Sequence, residues 1–210
     1  MRNLILKMSI TIDGFVGGPD GGIERVFDSD EDATAWTVET VWNASLHIMG
    51  SRTFHDMAAY WPTSTEVFAP PMNQIPKAVF SRQGPAILKT VNTTAALRDA
   101  RANAGTGQSA ELQPGGESWA EAYVASGDLT EEVAKLKAQE GKPIIAHGGA
   151  SFARSLVAQG LVDQYDLLVH PVVLGKGLPV FSDLAMPRTL KLMSSKAFPA
   201  GSVAQIYRPA

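Results

Sequence analysis

The 210-residue sequence contains no cysteine. Disulfide bonds, thiolate catalysis and cysteine-ligated metals are therefore excluded, and we expect no metal site. The sequence also lacks a basic excess, because 18 lysines and arginines stand against 21 aspartates and glutamates, for a net charge of −3. Binding to nucleic acid usually requires a basic surface, so we expect no nucleic-acid partner.

Long hydrophobic runs are absent as well. Met1 to Ile12 has no uninterrupted apolar core and no cleavage-site pattern, and no later stretch approaches the length of a membrane span. Hydrophobic residues make up 45% of the chain and charged residues 19%, which is ordinary for a globular protein. We expect a cytoplasmic protein without membrane contact, folded as a single domain over residues 1–210.

The sequence does contain a strand, glycine turn, helix and strand pattern between Lys142 and Phe181. An apolar run over Pro143–Ala146 leads into Gly148 and Gly149, a helical pattern follows, and a second apolar run covers Tyr165–Leu174. This order predicts a βαβ unit. Glycines ahead of a helix let a ligand approach the backbone, and the positive end of the helix dipole favours an anion. The pattern therefore predicts a phosphate site.

Two more strand ends carry polar and basic residues. An apolar strand over Leu46–Met49 runs through Gly50 into Ser51-Arg52-Thr53 and a helix, and a strand over Ile75–Phe80 ends at Ser81-Arg82. A lone arginine is more often an ordinary surface residue. Two arginines beside hydroxyl groups at strand ends favour a phosphate pocket, because the planar guanidinium matches phosphate geometry and ligands of open α/β sheets lie outside the strand ends.

The other elements complete an α/β pattern. The first strand, Asn3–Ile12, ends at Asp13-Gly14, and the glycine-rich loop that follows either closes over a ligand or forms a surface turn. The further predictions are a helix over Asp28–Ser45 with Trp36, Val41 and Trp42 on its buried face, a proline-rich connection at Ala69–Pro71, a helix over Leu129–Gln139, and antiparallel edge strands over Thr189–Ser195 and Ser202–Tyr207. Residues 83–118 read as a polar excursion, either partly disordered or with a short helix over Thr94–Ala104.

Four stretches in this order resemble the dihydrofolate reductase-like family, in the branch that includes the reductase domain of bacterial riboflavin biosynthesis. They are Ser9–Gly14, Met49–Phe54, His147–Ser151 and His170–Gly177. The resemblance implies an α/β fold of three layers, with a central mostly parallel sheet, flanking helices and an antiparallel C-terminal edge. Residues at about 83–118 are not part of the pattern, so we expect an insertion there.

The resemblance also implies that NADPH lies across the strand ends. The expected cofactor-binding residues are Gly50, Ser51, Arg52 and Thr53 on the adenosine side, Ser81 and Arg82 near the 2′-phosphate, Gly148, Gly149, Ala150 and Ser151 at the pyrophosphate, and Val16 and Gly17 beside the nicotinamide.

The implied activity is hydride transfer from NADPH to a small heterocyclic substrate, similar to 5-amino-6-(5-phosphoribosylamino)uracil reductase or a pterin reductase. The sequence departs from the dihydrofolate reductases because several acidic residues crowd the first helix, and from the riboflavin enzymes because it has no zinc deaminase domain. Relatives of this kind are often dimers, so we expect a homodimer. Asp13 is the candidate catalytic group, and turn stabilisation with Gly14 is its alternative role.

Two other functions compete with a reductase. One is a protein that binds NADPH without turnover, since no proton donor is identified. The other is a serine hydrolase, because Gly149–Ala153 lacks one glycine of a nucleophile elbow centred on Ser151. Labelling by a fluorophosphonate probe that disappears in Ser151→Ala would favour the hydrolase.

The two arginines at the strand ends generate the first testable prediction. Replacing both Arg52 and Arg82 with alanine should weaken NADPH binding far more than NADH binding, by up to a few kcal/mol for lost charge-assisted hydrogen bonds. Comparing the two dissociation constants before and after the change tests the assignment, and equal losses for both cofactors would show that it is wrong.

Overall fold

The structure, a computed structural model, describes residues 1–22, 30–90 and 107–210. In these ranges the strands are β1 (Leu4–Thr11), β2 (Leu46–Gly50), β3 (Lys77–Phe80), β4 (Tyr123–Ala125), β5 (Ile144–Ala146), β6 (Gln164–His170), β7 (Leu190–Ala197) and β8 (Val203–Pro209). The α-helices there are α1 (Glu31–Trp42), α2 (Ser51–Tyr60), α3 (Ala69–Gln74), α4 (Leu129–Ala138) and α5 (Ala150–Ala158). Short 3₁₀ segments cover Trp61–Thr63, Gly84–Thr90 and Gly116–Trp119.

The strands form one sheet in the order β4-β3-β2-β5-β1-β6-β8-β7. Pairing is parallel from β4 to β6, whereas β8 pairs antiparallel with both β6 and β7. In the predicted βαβ unit, β1 lies between β5 and β6, with Leu6 opposite Ala146 on one side and Tyr165 on the other. The carboxyl ends of the parallel strands therefore share one edge of the sheet, where ligands of open α/β sheets bind.

Helices cover both faces of the sheet and give three layers. On the first face, Leu4 and Leu6 belong to a core that also contains Val133 of α4 and Leu156 of α5. The second face packs against α1, α2 and α3, and two of its clusters contain the following buried side chains: Met49, Phe54, Met72, Val79 and Trp119 in one, Ala33, Leu168 and Phe198 in the other. Apolar cover on both sides explains why strands such as β5 lack a polar alternation.

Five ionisable side chains interrupt the apolar packing of the second face. This polar row consists of Lys77 on β3, His47 on β2, His147 just after β5, Lys7 on β1 and Asp166 on β6. Register places Lys7 opposite Asp166 and His47 opposite Lys77. The rings of His47 and His147 meet edge to face, with centroids 4.5 Å apart. Neighbouring strands therefore carry these five ionisable side chains side by side across the sheet.

The first helix is shorter than the sequence predicted. It begins at Glu31, where the carboxylate of Asp30 accepts the Ala33 N–H at 2.8 Å, and it ends at Trp42. Its buried positions are Ala33, Thr37 and Val41, whereas the predicted inward residue Trp42 is 39% exposed. Helical phase explains the error, because 100° per residue turns position 42 away from the face of position 41. The predicted caps before residue 30 lie outside the described residues.

Other corrections concern segment boundaries. The proline-rich connection is the helix α3, whose prolines stand at its start, where proline lacks only an N–H that would be unpaired anyway. Strand β6 ends at His170, and Val173 beyond it is 68% exposed, so the second apolar run is only partly strand. The strand β4 was not predicted.

The predicted helix and the two predicted antiparallel edge strands of the C-terminal half are confirmed. Helix α4 and the antiparallel strands β7 and β8 lie where the sequence placed them. Within residues 83–118, Ile87 is fully buried, and the predicted helix over Thr94–Ala104 lies outside the described residues. In the part of the chain that the structure describes, no helix is long and apolar enough to cross a bilayer.

Lys77 generates a prediction about stability. Its side chain is 2% exposed, and its Nζ donates hydrogen bonds to the Asn73 carbonyl and the Ser118 hydroxyl. Burial lowers the pKa of Lys77 from 10.5 to about 7, opposed in part by the charge of Glu117. Because the folded-state pKa is the lower one, the unfolded chain binds more protons between these values. The free energy of unfolding should therefore rise between about pH 7 and about pH 9.

Urea denaturation at several pH values tests this expectation. Lys77→Met should flatten the rise, and the slope that remains reflects Lys7, whose pKa burial lowers to about 8. An unchanged pH dependence in Lys77→Met would contradict the assignment.

Candidate functional site

The predicted phosphate residues meet where β2 and β5 end. Gly50 is the last residue of β2 and directly precedes α2, and the pair Gly148-Gly149 lies between β5 and α5. The Gly50 N–H lies 3.4 Å from the Gly148 carbonyl oxygen, and the Gly149 N–H donates to Thr53 Oγ1 at 2.8 Å. The N-termini of α2 and α5 are therefore held side by side at one edge of the sheet.

This junction depends on glycine. Gly148 has a φ of +86°, and a Cβ there would lie 2.8 Å from the sulfur of Met8. A Cβ on Gly149 would lie 2.8 Å from Thr53 Oγ1. The first position thus needs the left-handed conformation that glycine adopts freely, and both positions allow an approach that a side chain would block.

Neither helix at the junction has a side-chain cap. The N-cap residues of α2 and α5 are Gly50 and Gly149, whereas Asp30 caps α1 and Asp128 caps α4. The first N–H groups of a helix have no partner inside it, and the helix dipole makes that end positive. Two uncapped N-termini side by side suit a group with several anionic oxygens, such as a pyrophosphate.

The predicted 2′-phosphate residues lie on the neighbouring strand ends. Gly50 and Phe80 are in register, so Ser81-Arg82 follows β3 beside the start of α2. Arg52 and Arg82 are both exposed, which leaves their guanidinium groups accessible to a ligand. Ser81 is 7% exposed and its Oγ accepts the Gln83 N–H at 3.2 Å, so it shapes the turn.

The loop after β1 packs against the chain that follows β6. The Val16 N–H donates to the Leu178 carbonyl at 2.9 Å, and the Leu178 N–H donates to the Gly17 carbonyl at 3.0 Å. A Cβ on Gly177 would lie 2.3 Å from the Gly17 carbonyl oxygen, so only glycine fits there. Val16 and Gly17 are therefore tied to the 175–179 segment rather than to Gly148-Gly149.

Asp13 holds the same two segments together. Its carboxylate accepts hydrogen bonds from the Thr11 hydroxyl at 2.7 Å, the Gly175 N–H at 2.7 Å and the Leu174 N–H at 3.2 Å. The Thr11 hydroxyl, followed by the two backbone N–H groups, lowers the pKa of Asp13 against the opposing effect of desolvation. An ionised, hydrogen-bonded carboxylate has no proton to donate at neutral pH, so these contacts favour its alternative role as a turn stabiliser.

The partly exposed middle of the polar row also lies near this edge. Lys7 and His147 are partly exposed, whereas His47, Lys77 and Asp166 are 0%, 2% and 3% exposed. Burial lowers the pKa of Lys7 to about 8, while the charge of Asp166 opposes the shift. Among the described residues no hydrogen bond from the Lys7 ammonium is present. Sequence analysis did not select Lys7. The signal that could have identified it is a lysine within a strand that is covered on both faces.

Two histidines in the row stay neutral. Burial, helped by the charge of Lys77, lowers the pKa of His47 to about 3, and the nearby Val41 backbone opposes this without reaching hydrogen-bond geometry. Burial, helped by His47 and Lys7, lowers the pKa of His147 well below 6.5. Each imidazole therefore carries one N–H and one acceptor nitrogen at neutral pH.

Comparison with known proteins identifies the family to which this arrangement belongs. The RibD C-terminal domain family matches residues 2–204. The chain belongs to this family. Family members are reductases, and the three-layer fold predicted from the dihydrofolate reductase-like resemblance is confirmed.

Two relatives come from Bacillus subtilis (strain 168). The uncharacterized protein YyaP is 28% identical over 209 residues, which covers 98% of this chain and 94% of that protein. The uncharacterized protein YwjB is 34% identical over 74 residues, or 35% of this chain and 41% of that protein.

Solved structures agree on the fold. A putative riboflavin biosynthesis protein from Shewanella sp. PV-4 superposes with a TM-score of 0.65 at 17% identity, over 100% of this chain and 99% of that chain. A diaminohydroxyphosphoribosylaminopyrimidine deaminase/5-amino-6-(5-phosphoribosylamino)uracil reductase from Thermotoga maritima gives 0.66 at 16% identity, over 100% of this chain. This chain spans 57% of that longer enzyme.

The Thr53–Gly149 hydrogen bond generates the third prediction. Thr53→Val keeps the side-chain shape but removes the acceptor of the Gly149 N–H, so the free energy of unfolding should fall by about 1 kcal/mol. Thr53→Ser retains the hydroxyl and should stay near wild type. Urea denaturation of both variants measures the difference, and equal stabilities would mean that this bond does not hold the helix ends together.

Proposed function

We propose that this protein is an NADPH-dependent reductase that transfers a hydride to a small heterocyclic substrate. The observation that carries the proposal is the pair of uncapped helix N-termini joined at Gly148-Gly149, with Arg52 in the first turn of α2 and Arg82 just after the adjoining strand β3. Membership of a family of reductases supports it. The sequence expectations of a heterocyclic partner and of a homodimer belong to this proposal.

In this proposal the backbone N–H groups of Ala150 and Ser151, with the start of α2, bind the pyrophosphate. Arg52 and Arg82 supply the positive charge for the 2′-phosphate. Bound NADPH supplies the hydride, so the protein needs no nucleophile of its own and its task is to orient the reactants and exclude water. The contact between the loop after β1 and the 175–179 segment would provide part of that enclosure.

Reduction by hydride also requires a proton, and the polar row favours Lys7 over Asp13 as its source. Burial lowers the pKa of Lys7 to about 8. Its Nζ is therefore still largely protonated at pH 7, and it releases its proton more easily than an exposed lysine does. Asp13 is ionised and fully engaged by hydrogen bonds.

Binding and turnover assays test the proposed function. Wild-type protein should bind NADPH, detected by cofactor fluorescence, and should oxidise it in the presence of an aminopyrimidine or a pterin. Gly149→Ala should weaken binding, because its methyl group would lie 2.8 Å from Thr53 Oγ1 and spread the two helix ends. The matched control Gly18→Ala changes a glycine in the other loop, where the nearest atom is the flexible Asp20 carboxylate.

The outcomes separate the competing functions. Binding without turnover of any acceptor favours a cofactor-binding protein that has no reductase activity. Failure of the wild-type protein to bind NADPH would contradict both.

A further inference from the structure

We infer that Ser118 and Lys77 form a second catalytic site, which hydrolyses small uncharged carboxylic esters. The Ser118 hydroxyl is the nucleophile that takes the acyl group, and Lys77 is the general base. This activity goes beyond the proposed reductase and does not depend on it. The pair lies at the amino ends of the parallel strands, whereas the proposed cofactor site lies at their carboxyl ends.

A cavity of about 330 Å³ opens at this end of the sheet. Leu46, Lys77 and Tyr123, the first residues of β2, β3 and β4, lie in its wall. Pro76 and Leu136 add apolar surface to the same wall. Concave sites with apolar walls and a few polar groups are the usual binding sites for small molecules. The volume is sufficient for an ester with a short acyl chain.

Ser118 and Lys77 both line this cavity and contact each other. The Lys77 side chain is 2% exposed, and its Nζ donates a hydrogen bond to the Ser118 hydroxyl. Ser118 itself is partly exposed, so the hydroxyl is accessible while the amine lies behind it. A hydroxyl within hydrogen-bond reach of a buried amine is the arrangement of serine–lysine catalysis, in which the amine takes the proton of the nucleophile.

The lysine is also free to act as a base, because its charge is not paired. In the described part of the chain no carboxylate lies within ion-pair distance of Lys77 Nζ. Its remaining contacts are a hydrogen bond to the Asn73 carbonyl and the Trp119 ring, whose centroid is 4.9 Å away. A lysine that serves only to stabilise the fold is rarely buried without a partner of opposite charge. Because burial lowers the pKa of Lys77 to about 7, about half of the molecules carry the neutral amine at pH 7.

The other titratable groups around the lysine favour an uncharged substrate. Glu117 acts on the lysine by its charge, and Glu121 lies in the cavity wall, so an anion would be repelled there. His47, which is in register with the lysine, has a pKa lowered to about 3 and is neutral. The Tyr123 hydroxyl donates to the Glu132 carboxylate at 2.8 Å and does not compete for the serine.

The contacts of Ser118 define how the reaction proceeds. Its Oγ lies 2.6 Å from the carbonyl oxygens of Asn73 and Gly115, which hold the hydroxyl in place. When Lys77 is neutral, its lone pair accepts the hydroxyl proton as Oγ attacks the carbonyl carbon of the ester. The bond to the alcohol oxygen breaks, and the alcohol leaves with the proton from Nζ. Water then attacks the acyl-serine, Nζ passes the water proton to Oγ, and the carboxylic acid is released.

Hydrolysis of p-nitrophenyl butyrate tests the inference. Wild type should release p-nitrophenol, and mass spectrometry after an acid quench should find the butyryl group on Ser118, as an ester that hydroxylamine removes. Ser118→Ala should abolish the reaction, and Lys77→Met should slow it by about a hundredfold, the usual contribution of a general base. The wild-type rate should rise with pH to a plateau, with its midpoint near pH 7, where Lys77 loses its proton. The mapping and the pH profile need no variant to fold.

A second serine beside a cation provides the matched control. The Ser45 hydroxyl donates to the Lys142 carbonyl at 2.6 Å and accepts from the Arg2 guanidinium at 3.3 Å. A guanidinium cannot accept a proton, so Ser45→Ala should hydrolyse the ester as fast as wild type.

Three results would overturn the inference. They are a wild type no faster than buffer, a rate that Ser118→Ala retains, and a butyryl group found on another serine or as a stable amide on Lys77. Ser118→Ala should bind NADPH as wild type does, because the two sites lie at opposite edges of the sheet. A wild type that hydrolyses the ester through Ser118 but does not bind NADPH would contradict the reductase alone.

Discussion

The parallel backbone ladder from β3 through β2, β5 and β1 to β6 is the constraint on which the candidate site depends. Its register aligns residues far apart in sequence, such as Leu6 with Ala146 and Gly50 with Phe80. Parallel strands leave the sheet in one direction, so the turns after them collect along a single edge. The glycine junction, the exposed arginines and the Asp13 turn share that edge for this reason.

The same ladder produces the polar row, with an electrostatic consequence. Side chains alternate between the two faces of a sheet, so one ionisable residue on each of several neighbouring strands becomes a line of charges on one face. Burial lowers the pKa of both lysines and both histidines of the line, and the charges of neighbouring members lower it further at the two histidines. The row is therefore less charged than its composition suggests, and Lys7 and Lys77 titrate within the range in which enzymes work.

The elements that the sequence predicted well carry strong local signals. Helix α4 has an aspartate cap at Asp128 and a clear apolar face, and the glycine pair before α5 marks the end of a short buried strand. The errors occurred where local signals conflict. Adjacent tryptophan and valine residues did not define the phase of α1, and prolines that suit the first turn of α3 read as a loop.

For the candidate site, sequence reasoning selected residues that stand beside strand ends and missed residues whose role depends on how deeply their side chains are buried. The glycines, Thr53 and the arginines stand beside strand ends, and that position is visible in a linear pattern. Lys7 and His47 were not selected, because polar residues in strands of four to eight residues are ordinary on an exposed face. Asp13 was selected, but its carboxylate is occupied by the N–H groups of Leu174 and Gly175.

By itself, the sequence determined the fold class, the order of most elements and the strand ends where a phosphate could bind. These features follow from periodicity, glycine placement and caps, which act over a few residues. Only the tertiary structure decided that Asp13 closes a turn, that Thr53 joins two helix ends and that His147 packs against His47. These contacts span about a hundred residues or more, and burial and pKa depend on everything around a group, so no local pattern encodes them.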